Sequence, residues 1–424
     1  MNVLYLVFEA LLGGHVLSAS TIAKEMKNSD VTPVFAGAEG ALANEIRSYM
    51  PFEPVQIPLF HGTKQTYFTW ASIPAIKRLR EIVKVHNIQL IHAFDARSYM
   101  HAYPTGILEG IPVLCTLCGG IDPYYNLPAA PAIIVFSEEQ KQKMVSTFGW
   151  PSERVAVVRT RLDLKQITSN DYRMTDEEAQ AIGLDPNLQK VMMISSFDGT
   201  KIRSIHKVLD AAEMLFEKGF EFQLVMIGGK GELHAKAKAR GETINQKFGS
   251  KRILMTGPVM KAFKLLQRAE IVLGVGRSAF EGMAFARPTL IVGENGFAGV
   301  VSPEEVGDIA WYNFSGRNQI SDNSVEILTK EIGRLLADQN RRTALGEFGR
   351  EYVFREIDVV RGANRIADIY QKMMDHEVRQ LPLQQWLSFA KCLAPIAKDN
   401  GVHTLKQGVK KVFMLREASS EIGN

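Results

Sequence analysis

The sequence predicts an α/β protein made of two doubly wound halves, and three observations predict it. Short apolar runs recur without polar alternation, segments of helical spacing separate them, and the rhythm stops and restarts once across a polar stretch. In the first half the runs are Val3–Phe8, Val31–Phe35, Leu90–Phe94, Val113–Leu117 and Ala132–Ser137. In the second they are Val191–Ser195, Phe222–Ile227, Arg252–Thr256, Glu270–Gly274 and Thr289–Val292. A strand covered by helices on both faces has no polar side to show, so such runs suit a parallel sheet. Between them, Ser204–Lys218 places Ile205, Val208, Leu209, Ala212 and Leu215 on one helical face. Alternation of this kind builds doubly wound sheets.

The break is the polar stretch Lys165–Lys190, which holds SNDYRMTDEE and Asp185-Pro186-Asn187. It sets a first domain over 1–165 and a second over 188–323. Residues 324–377 read as helical without a convincing strand, and 378–424 read as an amphipathic tail.

Bulk composition narrows the function classes. The 424 residues are 46% hydrophobic and 23% charged, a folded balance rather than a disordered or disulfide-framed one. The net charge is +4, from 50 basic and 46 acidic residues, too even for a nucleic-acid face, so no nucleic acid is expected as partner. Three cysteines, Cys115, Cys118 and Cys392, suit a reducing compartment. The opening MNVLYLVFEALLGG lacks basic residues and Glu9 interrupts its apolar run, so no secretory leader is expected. No apolar run reaches the ~18 residues that a spanning helix needs. A cytoplasmic protein is expected.

Four constellations could carry chemistry. Gly13-Gly14-His15 follows the first strand and opens a helix, where glycines let a ligand approach backbone N–H groups at the positive helix end. The plainer reading is a tight turn with a packed histidine. Gly274-Val-Gly276-Arg277-Ser278-Ala279 also lies between a strand and a helix. It matches a dinucleotide fingerprint, with Glu294 ~20 residues on. That fingerprint normally opens its domain, however, and here several strand–helix units precede it. The favoured reading is a diphosphate cradle, with Arg277 and Ser278 at the helix start and Glu281 one turn in, able to accept two ribose hydroxyls. Ser195-Ser196-Phe197-Asp198-Gly199-Thr200-Lys201-Ile202-Arg203 follows the first strand of the second half. Its two cations, Lys201 and Arg203, could neutralise a departing diphosphate, or form an ordinary solvated loop. Cys115 and Cys118 stand at C-x-x-C spacing, followed by Gly119-Gly120-Ile-Asp122-Pro123. No second cysteine pair exists to complete a metal site, and the sequence holds no Asp-x-Asp, P-loop or G-x-S-x-G motif.

These segments together resemble glycosyltransferase family four, the large retaining family with the GT-B fold, over roughly Met1 to Tyr370. LLGGHVLSASTIAKEM resembles its N-terminal glycine loop, IQLIHAFDA, GIPVLCTLCGG and AIIVFSEEQKQKM its next three blocks, and ISSFDGTK, VMIGGKGE and ILMTGPV follow in order. GRSAFEGMAFARPTLIVGENG resembles the family's "EAMAxGxPVI" block. The resemblance implies two Rossmann-like domains facing a cleft, a helical C-terminal extension, and retaining transfer from a nucleotide-sugar donor without metal or other cofactor. It implies a carbohydrate or polyprenyl-linked acceptor, in surface polysaccharide or glycolipid assembly. The C-terminal domain would bind donor through Glu281, Gly276, Arg277, Ser278, Gly229 and Val259. Lys201, with Arg203 as alternative, would meet the diphosphate, and Gly13, Gly14 and His15 would lie by the donor phosphate or acceptor. Three departures stand out. Cys118 occupies the place of a catalytic histidine, Ser196 that of an arginine, and Leu273 that of a first glutamate in a loop shortened to GVGRS. Arg277 is a candidate to restore the lost arginine.

In the tail, Leu383, Trp386, Leu387, Ala390, Leu393 and Ala397 recur at helical spacing, as do Val402, Leu405, Val409, Val412 and Phe413 beside Lys406, Lys410 and Lys411. Packing onto the protein body is the favoured reading, and a peripheral place on the inner membrane face the alternative. Two rival functions remain: a nucleotide-sugar 2-epimerase of the same fold, and a non-catalytic subunit that binds sugar nucleotide for a partner.

Overall fold

The computed structural model describes residues 1–58, 60–61, 67–68, 72–118, 126–159, 162–197, 199–318, 324–375 and 382–399. The chain divides into two compact units. The first comprises Met1–Phe136, Gln140–Val158 and Ala363–Asn424, and the second Ser137–Glu139 and Arg159–Gly362. The sequence-based divisions at 165/188 and 323/324 thus fall inside the second unit, and the last segments return to the first.

The first unit holds β1 (Asn2–Glu9), β2 (Thr32–Ala38), β3 (Phe52–Pro54), a two-stranded ribbon of β4 (Phe60–His61) and β5 (Tyr67–Phe68), then β6 (Leu90–Ala93), β7 (Val113–Leu117), β8 (Ile133–Val135) and β9 (Val155–Val157). Its main sheet runs β3-β2-β1-β6-β7-β8-β9, with every neighbouring pair parallel. The second unit holds β10 (Gln189–Ile194), β11 (Phe222–Ile227), β12 (Ile253–Gly257), β13 (Ile271–Gly274), β14 (Thr289–Gly293) and β15 (Gly296–Val300). These form a sheet in the order β12-β11-β10-β13-β14-β15, parallel except for the β14–β15 hairpin. The apolar runs are buried as double-sided strands should be: Val3 through Val7 are wholly inaccessible. In each sheet the strand order reverses once, between β1 and β6 and between β10 and β13. At such a reversal the loops leave to opposite faces and open a crevice at the carboxyl ends of the strands, where doubly wound sheets bind ligands.

The segment read as helical without a strand forms Ser324–Ala337, Gln339–Glu356 and Val359–Met374. Glu294 lies in the exposed turn of the β14–β15 hairpin.

The returning chain is keyed into the first unit by a buried polar chain. His92 on β6 meets Tyr370 Oη through Nδ1 and Thr116 Oγ1 through Nε2, both at 2.6 Å. Tyr370 donates to Tyr5 Oη at 3.1 Å, so Nδ1–H donates to Tyr370 and Nε2 accepts from Thr116. Burial pushes the His92 pKa down to about 3 and those of Tyr5 and Tyr370 up, so every member stays neutral near pH 7. Tyr370→Phe removes the partner of the His92 N–H and is expected to cost about 1–3 kcal/mol of stability. Thermal unfolding tests this; a melting temperature equal to wild type would mean that the buried chain is energetically neutral.

Candidate functional site

In the first unit, the loops after β1 and β6 meet where the sheet order reverses. Gly13 is the N-cap of the helix Gly14–Met26 and is extended, with no side-chain cap. The first turn therefore leaves backbone N–H groups for a ligand. Gly14 is exposed, and an added Cβ there would meet nothing within 4 Å. His15 is half-buried; burial lowers its pKa, the Asp95 carboxylate opposes that, and Arg97 adds to it. Asp95 caps the helix Ala96–Glu109, accepting from Ser98 N at 2.7 Å, while its other oxygen accepts from Phe8 N at 3.0 Å. It thus ties the β6 loop to β1. Arg97 lies over the Phe8 ring at 4.8 Å. Asp95 and Arg97 were missed from sequence, although Asp before a helical pattern is an N-cap signal.

Cys118 stands just beyond β7. Burial pushes its thiol well above the ordinary value and Asp95 pushes it further, so it is a neutral thiol near pH 7. Neutral thiols are poor nucleophiles and poor bases. Cys115 is buried within β7, likewise raised, and no disulfide forms. The segment with Gly119, Gly120, Asp122 and Pro123 lies outside the described residues.

In the second unit, the loops after β10, β11, β12 and β13 all leave from the carboxyl end of the parallel strands. Lys201 is the N-cap of the helix Ile202–Glu217 and donates from Nζ to Ser196 Oγ at 2.9 Å. Arg203, two residues further on, is exposed. Gly228 has φ of +106°, and a Cβ there would stand 2.3 Å from the Ser195 carbonyl oxygen. Gly229 has φ of +76° and lies flat on the Phe197 ring, 2.5 Å from a would-be Cβ. Only glycine fits both positions, which lets the β11 turn close on the β10 loop. Val259, after β12, is part-buried and packs against a neighbouring core cluster.

After β13, Gly276 has φ of +50° and caps the helix Arg277–Ala284. Ser278 Oγ is spent inside the turn, donating to Val275 O at 3.0 Å and accepting from Val275 N at 3.2 Å. Glu281 is almost fully buried and is already engaged: Arg277 Nε donates to its Oε1 at 2.8 Å. Burial raises the Glu281 pKa and the Arg277 charge partly offsets that. The carboxylate therefore has one oxygen committed to Arg277 before any ribose arrives.

Buried polar atoms without partners mark where such a site is incomplete. Among the described residues six side-chain atoms are in this state, and three of them, Ser195 Oγ, His234 Nε2 and Arg277 Nη1, lie on the segments after β10, β11 and β13. His234, one turn into the helix Gly231–Phe248, packs edge-on to Phe197 with ring centroids 5.4 Å apart. Sequence reasoning missed it, because its relation to Phe197 exists only once the two loops pack. Among the described residues no three His, Cys, Asp or Glu side chains converge as a metal-ligand set.

No protein-family model matches the chain, and no curated protein matches it in sequence. Solved structures of similar fold include a glycosyltransferase from Rickettsia africae, with a TM-score of 0.67 at 16% identity over 89% of this chain and 99% of that one. HepE from Anabaena, solved in complex with UDP, aligns with a TM-score of 0.65 at 15% identity over 88% of this chain and 100% of its own. A UDP-GlcNAc 2-epimerase from Neisseria meningitidis, bound to UDP-GlcNAc, aligns with a TM-score of 0.58 at 14% identity over 88% of this chain and 100% of its own. At these identities the likeness shows architecture: two doubly wound domains of the GT-B fold with a helical C-terminal region.

Proposed function

We propose that this chain is a glycosyltransferase that moves a sugar from a nucleotide-sugar donor to a carbohydrate or polyprenyl-linked acceptor. The donor sits in the second unit and the acceptor in the first. The observation that carries the reading is the carboxyl end of the second sheet. There, at the strand-order reversal, stand Lys201, the Arg277–Glu281 pair and three unpartnered buried polar atoms. Glu281 takes the donor ribose on the oxygen that Arg277 leaves open. Lys201, Arg277 and the N-terminus of the helix Arg277–Ala284 face the diphosphate, and their charge substitutes for a metal. In transfer, the acceptor hydroxyl oxygen bonds to the anomeric carbon as the bond to the diphosphate oxygen breaks. The hydroxyl proton passes to the departing diphosphate on the same face, which retains configuration. Leu11 and Leu12, 47% and 53% exposed beside Gly13, give the acceptor loop an apolar lip. A lipid-linked acceptor, in surface polysaccharide or glycolipid assembly, suits that lip.

The test is thermal unfolding with nucleoside diphosphates, nucleotide-sugars, NAD and NADP, beginning with uridine compounds because HepE was solved with UDP. A ligand at ~100 times its dissociation constant adds about 2.7 kcal/mol, a visible shift. Stabilisation by NAD or NADP alone would overturn the reading in favour of a dinucleotide at Gly274–Ala279.

The neutral thiol at Cys118, in place of a catalytic histidine, favours one second reading: a subunit that binds sugar nucleotide without turnover. Such a protein shows the same stabilisation but transfers to no acceptor. A 2-epimerase instead releases altered sugar nucleotide with no acceptor present.

A further inference from the structure

The helix over 382–399 packs with one side only. Phe389, Cys392 and Ile396 are 5%, 7% and 1% exposed, and the Phe389 ring lies 6.0 Å from that of Tyr103. Ser388 Oγ accepts from Ala129 N at 2.8 Å. The opposite side presents Leu383, Trp386 and Leu387, which are 71%, 37% and 54% exposed. Turning about 100° per residue, these three, with exposed Ala390 and Ala394, form one apolar stripe bordered by Lys391 and Lys398.

Lys391 also stands at the rim of a cavity of about 220 Å³, walled by Leu127, Phe148 and Trp150 and rimmed further by Asn126 and Arg154. The Asn126 amide is used in the wall: it accepts from Trp150 Nε1 at 3.0 Å and donates to Phe148 O at 3.2 Å. Neither the Arg154 nor the Lys391 head group pairs with an acid among the described residues. A cavity with an apolar wall and two cations at its rim suits an anion that carries apolar substance behind it. Asn126 precedes β8 and Arg154 precedes β9, so the cavity lies at the amino ends of the strands. Gly13–His15 lie at their carboxyl ends.

We propose that this face is a docking surface for an anionic bilayer: the Leu383–Trp386–Leu387 stripe enters the interface, and a lipid headgroup phosphate seats between Arg154 and Lys391. An amphipathic helix binds a membrane in this way when apolar area and basic charge share one face. No described helix is long and apolar enough to cross the membrane, so the contact is peripheral. The proposal stands independently of the donor site, because Arg154, Lys391 and the helix over 382–399 belong to the first unit and the donor-site residues to the second.

The test is flotation of the full chain with phosphatidylcholine vesicles, with and without phosphatidylglycerol. The chain is expected to float only with the anionic vesicles. Arg154→Glu with Lys391→Glu, and separately Leu383→Asp with Leu387→Asp, are each expected to weaken binding by about tenfold or more at unchanged melting temperature. In the wild type, bilayer-embedded brominated lipid should quench tryptophan fluorescence, and Trp386→Phe should lose that fraction, a readout that does not depend on the charge variants folding. Equal flotation on neutral vesicles, or no flotation, overturns the proposal. So does wild-type flotation by both double variants, which would assign binding to residues 401–424. Tryptophan fluorescence that responds to inorganic phosphate in a chain that ignores vesicles also overturns it, in favour of a soluble anion.

Discussion

Glu281→Gln is expected to weaken binding of the cognate nucleoside diphosphate by about a hundredfold or more, measured by titration calorimetry. Two hydroxyl hydrogen bonds to a carboxylate contribute about 1.5–3 kcal/mol each, and the uncharged amide keeps little of that. The wild-type affinity should also carry an acid limb. Burial holds the Glu281 pKa above the usual carboxylate range, so as pH falls the accepting anion is lost earlier than an ordinary glutamate would lose it. The glutamine variant should show no such limb. Arg277 qualifies the expectation in a useful way. Its Nε holds Glu281 while its Nη1 lies buried without a partner, so Arg277→Ala should weaken nucleoside diphosphates more than the free nucleoside. A glutamine variant that binds like wild type across pH would remove Glu281 from the site.

Lys201→Met is expected to lower kcat by about a hundredfold to a thousandfold, with a smaller change in donor KM. A cation aimed at charge that develops on the leaving diphosphate acts mainly in the transition state. Its ammonium is positioned by Ser196 Oγ at the end of β10, the strand beside the reversal. Arg203 is exposed two residues further along, and Arg203→Met should leave turnover near wild type. Steady-state kinetics with the donor found by thermal unfolding decides between them. The reverse pattern, loss with Arg203→Met and not with Lys201→Met, would transfer the role.

Most of the fold is legible because parallel strands covered on both faces must be continuously apolar, as Val3–Phe8 and Phe222–Ile227 are. The strands that escape notice are short or carry residues that sheets avoid. Phe52–Pro54 includes a proline, and Gly296–Val300 holds two glycines and pairs only along one edge of the sheet. The loops of the candidate site are legible for a related reason: each glycine or cation cluster directly follows a strand. Their partners are not. Asp95 reaches β1 and His234 reaches Phe197 only through packing between distant segments, and the raised pKa of the Cys118 thiol arises only from the surroundings that folding gives it. Arg277 and Glu281 stand four apart on a helix, a spacing that already allows the pair, yet each reads separately as a ligand for something else. The second amphipathic segment, with Lys406, Lys410 and Lys411, lies outside the described residues.

The buried chain of Tyr5, His92 and Tyr370 has a consequence for synthesis on the ribosome. The first unit is assembled from both ends of the polypeptide: Tyr370, Phe389 and Ile396 belong to the same interior as the strands made at the start. Translation at about 5–20 residues per second puts roughly 10–40 s between emergence of Val158 and of Ala363. During that interval β6 carries His92 with its principal partner unmade, while the second unit receives every residue it needs. The half of the protein that is made second is therefore the first able to finish folding. The amino-terminal half stays open to chaperones and proteases until the last helices arrive.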